Sequence, residues 1–405
     1  MKRRQFLTGS VVAGLGATVM LNPVLAEDRP GLNWKLPTAF PKAAPGVGTN
    51  ITAFAGKVAA MSDGRLRFEV SGAGELVPPF GVEDAVQAGN VPVGHGPTYY
   101  SAGKNPALHW FTGVPFGMTS NEMAAWLIWG GGQKIWDGIY AERKLKPLYC
   151  GNSNVQAGGW FRKPIEKLDD LKGLNMRIAG LGGEVMRKLG VNAVLTPPPE
   201  IFQALQSGAI DAAEWVGPML DQAFGLQKIC KICYLSGFLE PGAGLAVVFN
   251  QEKWDELPGD LQAICEAAAL AVNTETVAQF DYFNALALEK LTADGVAFLP
   301  LPDDVIKAQQ DAWEEVKAGL VQEHEDVARV VASYDAYLAQ ARNYDARMTA
   351  PVLADAGNGV TGQGLSCGGT ACFRQCRPGP VFAKACRGLL SGSGRFVSGN
   401  AVQLP

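Results

Sequence analysis

Short strand-like segments alternate with helical segments between residues 65 and 250, and this alternation limits the chain to α/β folds. Residues 65–70, Arg-Leu-Arg-Phe-Glu-Val, alternate polar and apolar side chains, as a strand with one buried face does. A helical pattern over 82–88 then ends at Gly89, and a strand-like segment follows at 91–93. The order strand, helix, glycine and strand is typical of α/β units.

A second copy of this arrangement lies in the other half of the sequence. Residues 200–207 are helical in pattern, Gly208 ends the helix, and an apolar strand candidate follows at 209–212. In both copies the glycine suits the left-handed conformation in which helices commonly end. One such unit in each half predicts two similar α/β lobes.

The last third of the chain is mostly helical. Long amphipathic patterns cover about 260–291 and 303–347, and they predict long C-terminal helices. Between the halves, residues 244–250, Gly-Leu-Ala-Val-Val-Phe-Asn, read as a buried strand. Its position predicts a crossover between the lobes, and a cleft between lobes is a favoured place for a ligand.

One arginine and one carboxylate stand at the ends of two short apolar strand candidates. They are Arg177 and Glu214. Small ligands bind at strand tips in open α/β sheets, so two adjacent tips would form an anion site with a cation beside it. From spacing alone two simpler roles stay open: a structural salt bridge for Arg177 and a solvated loop acid for Glu214.

The first 26 residues have the pattern of an export signal. Lys2-Arg3-Arg4-Gln5-Phe6-Leu7 precedes an uncharged small and apolar run to residue 25, and Val24-Leu25-Ala26 fits a cleavage site. The paired arginines resemble the twin-arginine type; an ordinary secretory signal or an uncleaved anchor is the alternative. In each case the working part lies outside the cytoplasm, and we expect the periplasm.

The C-terminal tail differs from the rest of the chain. Residues 359–405 contain no acid but carry four of the eight cysteines. Intervals of four, three and nine residues from Cys367 to Cys386 do not form paired C-x-x-C knuckles, which argues against a zinc module. We expect a disordered tail or out-of-frame sequence.

The charge of the region between signal and tail argues against nucleic acid as a partner. Eight of the 35 basic residues lie in the signal and tail, which contain no acid, so the region between carries 27 basic against 39 acidic residues. Such an acidic surface repels nucleic acids and anionic lipid. An anionic ligand must therefore meet a local positive group.

Signs of catalysis are weak. His95, His109 and His324 are widely separated and lack metal-ligand spacing, and no Gly-x-Ser-x-Gly elbow occurs between residues 27 and 358. Cys230 and Cys233 could form a redox pair or a local disulfide, but without the other features of a thioredoxin site they fit ordinary partly buried cysteines better.

Three motifs resemble those of a known family. They are Gly-Leu-Asn-Met-Arg-Ile at 173–178, Phe-Gln-Ala-Leu-Gln-Ser-Gly-Ala-Ile-Asp-Ala-Ala-Glu-Trp at 202–215, and Tyr99-Tyr100 followed by Ala-Gly-Lys at 102–104. From about residue 34 to 347 the chain is similar to the solute receptors of TRAP (tripartite ATP-independent periplasmic) transporters, in the subgroup that binds 2-oxo acids or related small carboxylates. The tail has no counterpart there.

The resemblance implies a two-lobe, periplasmic-binding-protein-like α/β fold. Lobe I would comprise 27–154 with 243–282, and lobe II 155–242 with 283–358. It also implies delivery of the ligand to the membrane components of a TRAP-type transporter. In some relatives the terminal helices mediate homodimers, and the sequence leaves that open here.

The resemblance further implies the site. Arg177 would pair with the ligand carboxylate, since a guanidinium presents two parallel N–H donors to two oxygens. Glu214, the main-chain oxygen of Trp215 and the amide oxygen of Gln156 would bind a sodium or calcium ion, because hard cations prefer oxygen.

Two further residues complete the predicted ligand site. Tyr100 would donate a hydrogen bond to the ligand or serve only in packing, and Asn250 would line the cleft or serve as a turn residue. The expected ligand is a 2-oxo acid such as pyruvate or a hydroxy acid such as lactate. The alternatives are a receptor for an aromatic acid or a dicarboxylate, an ABC-type binding protein, and an exported enzyme acting on small acids.

Overall fold

The computed structural model describes residues 31–235 and 237–360. The predicted export signal and almost all of the predicted tail lie outside the described residues. The chain divides into two compact units, with the boundary between Arg342 and Asn343.

The described residues form strands β1 to β11. Their bounds are Leu32–Pro37 (β1), Leu66–Ser71 (β2), Val93–Gly96 (β3), Leu145–Asn152 (β4), Gly159–Phe161 (β5), Asn175–Arg177 (β6), Asn192–Val194 (β7), Ala212–Ala213 (β8), Ile232–Tyr234 (β9), Gly244–Asn250 (β10) and Ala297–Leu299 (β11).

The same residues form helices α1 to α11, besides short 3-10 turns. The helices are Thr49–Met61 (α1), Val82–Gln87 (α2), Ser120–Ile128 (α3), Gly132–Ala141 (α4), Gly180–Lys188 (α5), Ile201–Ser207 (α6), Pro218–Phe224 (α7), Gln251–Asp255 (α8), Gly259–Ala293 (α9), Asp303–Glu323 (α10) and Glu325–Val360 (α11).

Two larger sheets organise the first unit. The smaller has the order β3-β10-β4, with β10 antiparallel to both neighbours. The larger has the order β11-β9-β5-β8-β6-β7, and β1 and β2 form a separate parallel pair. The smaller sheet and the β1-β2 pair use residues assigned to predicted lobe I, and the larger sheet uses residues assigned to lobe II. The lobe boundaries themselves stay a prediction.

The α/β fold class with long C-terminal helices is confirmed. The predicted buried strand 244–250 is β10, and every one of its residues is buried. Gly89 and Gly208 adopt φ values of +75° and +77° after their helices, as the repeated pattern predicts. Both local units therefore fold as their sequences indicate.

Some element bounds differ from the prediction. The strand expected at 91–93 begins only at Val93, and the strand expected at 209–212 shortens to β8. The pattern over 303–347 is divided between α10 and α11 because His324 has an extended backbone, with φ −132° and ψ 116°. Acidic residues then open α11, where they favour a new helix start.

Aromatic residues form a dense core beside the smaller sheet. Phe111 stacks on Trp126 and Trp136, with ring centroids 5.7 and 5.1 Å away. All three side chains are fully buried. Helix α9 packs on β4 and on α7, so it braces elements associated with both large sheets. Within 31–235 and 237–360, no helix combines the length and apolar character needed to cross a bilayer.

Candidate functional site

Arg177 and Glu214 lie side by side at two adjacent strand tips. Strands β6 and β8 are parallel, with Arg177 opposite Ala213, and the Glu214 N–H donates to the Arg177 carbonyl at 2.9 Å. Both side chains are almost completely buried, with 1% and 3% of their surface exposed. The two tips therefore meet, which is the condition for the anion site considered from the sequence.

The Arg177 guanidinium pairs with Glu214 through Nη1. Its Nη1 donates to Glu214 Oε2 at 3.0 Å and also to the Glu214 main-chain oxygen. The guanidinium carbon lies 4.9 Å from the centroid of the Trp215 ring, within cation-π range. Among the described residues, Arg177 Nε has no hydrogen-bond partner. Because a buried N–H without a partner is costly, this donor is suited to a ligand oxygen.

Gln156 joins the same group from the segment between β4 and β5. One end of its side-chain amide lies 2.6 Å from Glu214 Oε1 and 2.9 Å from the Trp215 main-chain oxygen, and the other end lies 2.9 Å from Ser153 Oγ. If the nitrogen faces Glu214 and Trp215, the amide donates to both. If the oxygen faces them, three oxygens converge, and either a proton on Glu214 or a cation between them must offset their repulsion.

The convergent oxygens fit a hard cation. One carboxylate, one amide oxygen and one main-chain oxygen are ligands that sodium and calcium accept. In the described part of the chain, no group of three or more His, Cys, Asp and Glu side chains could hold a metal. The predicted set of Gln156, Glu214 and the Trp215 main-chain oxygen contains a single carboxylate, so it is not a cluster of that kind.

Burial affects the ionisation of the carboxylate in this set. It raises the pKa of Glu214, while Arg177 and the backbone N–H of Ala179 act against that rise. A positive ion beside Glu214 would lower the pKa of Glu214, as Arg177 does.

The structure brings Tyr100 to Arg177 from a different part of the fold than Glu214. Tyr100 lies in a 3-10 turn, Thr98–Ser101, that follows β3. Its hydroxyl is buried beside the guanidinium, yet it has no well-formed hydrogen bond within the described residues. Burial raises the pKa of the Tyr100 phenol. Tyr100 is therefore a neutral donor that is available to a ligand.

The structure does not bring Asn250 to the other predicted residues. Its Oδ1 accepts from the Lys253 N–H at 3.3 Å, and its Nδ2 donates to the Val86 carbonyl at 3.0 Å. Asn250 therefore caps helix α8. Asn250 is also the last residue of β10 and Gly244 is the first, and a strand of this length places the two about 20 Å apart. The role as a cleft residue is thus not supported, and the turn role is.

Glu240 is a site residue that the sequence prediction missed. It lies in the connector between β9 and β10, it is 6% exposed, and its main-chain oxygen accepts from the Gln156 N–H at 3.3 Å. Burial raises the pKa of Glu240 to about 7, with Arg177 and a hydrogen bond from Tyr99 opposing the rise. Arg177 therefore faces two buried acids.

Connector geometry explains how Glu240 reaches the site. A Cβ atom at Gly237 would overlap the main-chain oxygen of Gln156, so only glycine permits this close approach. The sequence signal was an acid followed by Pro241, Gly242 and Ala243 directly before the buried strand β10.

Asp221 holds the loop that carries Trp215. Its Oδ1 accepts from the Val216 N–H at 3.1 Å, and its Oδ2 accepts from Trp160 Nε1 at 2.7 Å. Replacing Asp221 by alanine is expected to lower the free energy of unfolding by about 2–4 kcal/mol, because two buried donors lose their acceptor. Urea denaturation measures this change.

Asp294 provides the matched control for Asp221. It is half-exposed and forms only a surface pair with Lys290. Its replacement by alanine should cost less than about 1 kcal/mol. Equal effects of the two substitutions would contradict a structural role for Asp221.

Cys230 and Cys233 are buried free thiols, as are Cys150 and Cys265. Burial raises the pKa of the Cys230 and Cys233 thiols. A raised thiol pKa lowers the thiolate fraction and so reduces reactivity. These features fit ordinary buried cysteines.

An open cleft of about 900 Å³ lies beside the site. Tyr99 and Tyr100 line it on one side, Ile178 and helix α5 line it on another, and helix α10 lines it as well. Of the predicted site residues, Tyr100 lines this cleft, whereas Arg177, Gln156, Glu214 and Trp215 do not.

Comparison with known proteins identifies close relatives. The family model described as bacterial extracellular solute-binding protein, family 7, matches residues 41–324. A monocarboxylate 2-oxoacid-binding periplasmic protein from Nostoc sp. is 41% identical over 317 residues, which cover 76% of this chain and 86% of that relative.

Solved structures of TRAP solute-binding proteins also match. One from Bordetella bronchiseptica, a mixed-occupancy dimer with copurified calcium and picolinate, has a TM-score of 0.80 and 33% identity, covering 82% of this chain and 98% of that one. Another from Pseudoalteromonas atlantica, with bound sodium and pyruvate, has a TM-score of 0.77 and 35% identity, covering 80% and 98%.

Proposed function

Because the chain belongs to the family 7 bacterial extracellular solute-binding proteins, we propose that it captures a small monocarboxylate, with pyruvate as the foremost candidate, for a TRAP-type membrane transporter. The observation that carries this proposal is the convergence of Arg177, Gln156, Glu214 and the Trp215 main-chain oxygen at two buried strand tips. Family membership makes the chain a solute receptor rather than an enzyme or an ABC-type binding protein.

Arg177 is the proposed partner of the ligand carboxylate. Its Nε is a buried donor without a partner in the described chain, and the Tyr100 hydroxyl beside it is a second such donor. A ligand with several oxygens would satisfy both. Trp215 Nε1 is a third buried donor of this kind, and it supports a ligand rich in acceptors.

Gln156, Glu214 and the Trp215 main-chain oxygen are the proposed ligands of a cation. Before any solute enters, Arg177 already faces the two buried acids Glu214 and Glu240. A sodium or calcium ion bound there would supply the charge that offsets repulsion between Glu214 and the incoming carboxylate. Relatives with sodium and with calcium support a cation of this class.

Capture would proceed by closure of two lobes around the solute. Tyr100 follows a strand of the smaller sheet, whereas Arg177 and Glu214 lie in or next to strands of the larger sheet. A solute held by both sets of residues favours the closed form by its differential affinity for that form. The closed receptor would then dock on the membrane components in the periplasm.

A homodimer through the C-terminal helices belongs to the same proposal. The described part of the second unit is the end of α11. Tyr344, Met348, Val352 and Leu353 are exposed on it. Analytical ultracentrifugation of the parent protein measures the oligomeric state directly.

A small aromatic carboxylate is the second candidate ligand, because the similar Bordetella structure holds picolinate. A thermal-shift screen of pyruvate, lactate, picolinate and succinate, each with and without sodium and calcium, distinguishes these classes. At 100 times its dissociation constant, the true ligand should stabilise the protein by about 2.7 kcal/mol. A response to succinate alone would contradict the monocarboxylate proposal.

A further inference from the structure

Glu240 places a second acidic side chain next to the proposed cation site. It is 6% exposed, and its main-chain oxygen accepts from the Gln156 N–H at 3.3 Å. One end of the Gln156 side-chain amide lies 2.6 Å from Glu214 Oε1 and 2.9 Å from the Trp215 main-chain oxygen. A hydrogen bond from Tyr99 holds the Glu240 carboxylate. Glu240 therefore neighbours the residue that contacts both other proposed ion ligands.

Arg177 interacts with both buried acids. Its Nη1 lies 3.0 Å from Glu214 Oε2, and it opposes the rise that burial causes in the pKa of Glu240. Burial also raises the pKa of Glu214, with Arg177 acting against that rise and Glu240 adding to it. Within residues 31–235 and 237–360, Glu240 Oε1 has no hydrogen-bond partner. The two carboxyl groups thus repel each other and share the Arg177 guanidinium.

The charges of the loaded site balance best with a divalent ion. Arg177 contributes one positive charge, whereas Glu214, Glu240 and the solute carboxylate each contribute a negative charge when ionised. A cation beside the two acids favours their ionised forms. Sodium would leave one negative charge without compensation, and calcium would leave none. Because an uncompensated charge is costly in a buried site, the charge count favours calcium.

Asp221 is a further buried acid close enough to act on Glu214, and it does not weaken this bias. Its two oxygens accept from Trp160 Nε1 and from the Val216 N–H, so its charge is compensated by donors of its own. Any part of that charge that reaches the ion adds to the negative side of the count. Among these acids, Glu240 is the one whose Oε1 is left without a donor in the described chain.

We propose that Glu240 makes the cation site selective for calcium over sodium, by supplying a negative charge near the ion rather than a ligand atom to it. The proposal rests on the proposed function, since it assumes that Arg177 holds the solute carboxylate and that Glu214 binds the ion. It makes Glu240 a specificity-determining residue for the ion. The calcium-loaded receptor is then the form that captures pyruvate, and sodium supports capture only at much higher concentration.

Glu240→Gln tests the role of the charge, because glutamine keeps the shape and can still accept from Tyr99. Calorimetric titration of calcium into the metal-stripped full chain, with saturating pyruvate and constant ionic strength, gives the calcium affinity. The decline of that affinity with added sodium gives the sodium affinity. A Coulomb energy is proportional to the charge of the ion, so the substitution should cost calcium twice the free energy that it costs sodium. We expect losses of about tenfold for sodium and about 100-fold for calcium.

Glu256→Gln is the matched control, because Glu256 is exposed and pairs with Lys253 on the surface. It should change both ion affinities by less than about twofold. Equal losses for the two ions in Glu240→Gln, or no loss, would overturn the role of its charge. If that variant does not fold, the parent decides: we expect calcium to bind at least about 100-fold more tightly than sodium, and equal affinities would overturn the proposal. Failure of pyruvate to bind the parent with either ion would instead reject the proposed function.

Discussion

Replacing Arg177 by alanine is expected to weaken pyruvate binding by at least about 100-fold, or about 2.7 kcal/mol. The substitution removes the buried guanidinium whose Nε is free of partners in the described chain. It also leaves Glu214 buried without its 3.0 Å partner, so the free energy of unfolding should fall by about 3–5 kcal/mol. Calorimetric titration with pyruvate and urea denaturation measure the two effects.

Arg177→Lys separates binding from folding. Lysine keeps the positive charge beside Glu214, so most of the stability should remain, but it lacks the planar fork that matches a carboxylate. We expect a loss of pyruvate affinity of about tenfold or more. Arg65→Ala is the control, because Arg65 forms only an exposed pair with Asp260. Unchanged pyruvate affinity in a folded Arg177→Ala protein would exclude Arg177 as the carboxylate partner.

Glu214→Gln is expected to abolish the dependence of pyruvate binding on added cation. Glutamine has nearly the same shape but no charge, so the oxygen set of Gln156, Glu214 and Trp215 loses its only carboxylate. Calcium at saturating concentration should then change pyruvate affinity by less than about twofold, against tenfold or more in the parent. Titrations of pyruvate with and without calcium measure this coupling.

Glu275→Gln is the control for the removal of one negative charge. Glu275 is exposed and pairs with Lys57 on the surface. It should keep the parent's cation dependence. The Glu214 prediction is wrong if Glu214→Gln keeps the full calcium response.

The sequence places Arg177 and Glu214 at two strand ends because that geometry is local, and the resemblance to a family makes the two residues one predicted site. Arg177 ends a three-residue strand, Glu214 follows a two-residue strand, and the two strands are parallel neighbours. The ends of the two helices, at Gly89 and Gly208, could be predicted for the same reason, since each depends on one residue's backbone preference. Gln156 and the Trp215 main-chain oxygen entered only through resemblance to a family.

The remaining site residues depend on tertiary contacts. Glu240 reaches Arg177 because Gly237 lets the connector approach Gln156 closely, and no periodic pattern encodes that approach. The sequence left two roles open for Asn250 for a related reason. Its position at a strand end suits both a ligand contact and a helix cap, and only its bonds to Val86 and Lys253 distinguish the two roles.

The most direct test of the account is the affinity of the metal-stripped parent protein for pyruvate, measured by calorimetric titration without added ion and then with sodium or calcium. The account predicts that one of these ions raises the affinity by about tenfold or more, and that pyruvate raises the affinity for the ion by the same factor. The contradicting result is the same pyruvate affinity in three conditions: with chelator and no sodium, with sodium, and with calcium. That result would contradict a site in which Arg177 and a cation hold the carboxylate together.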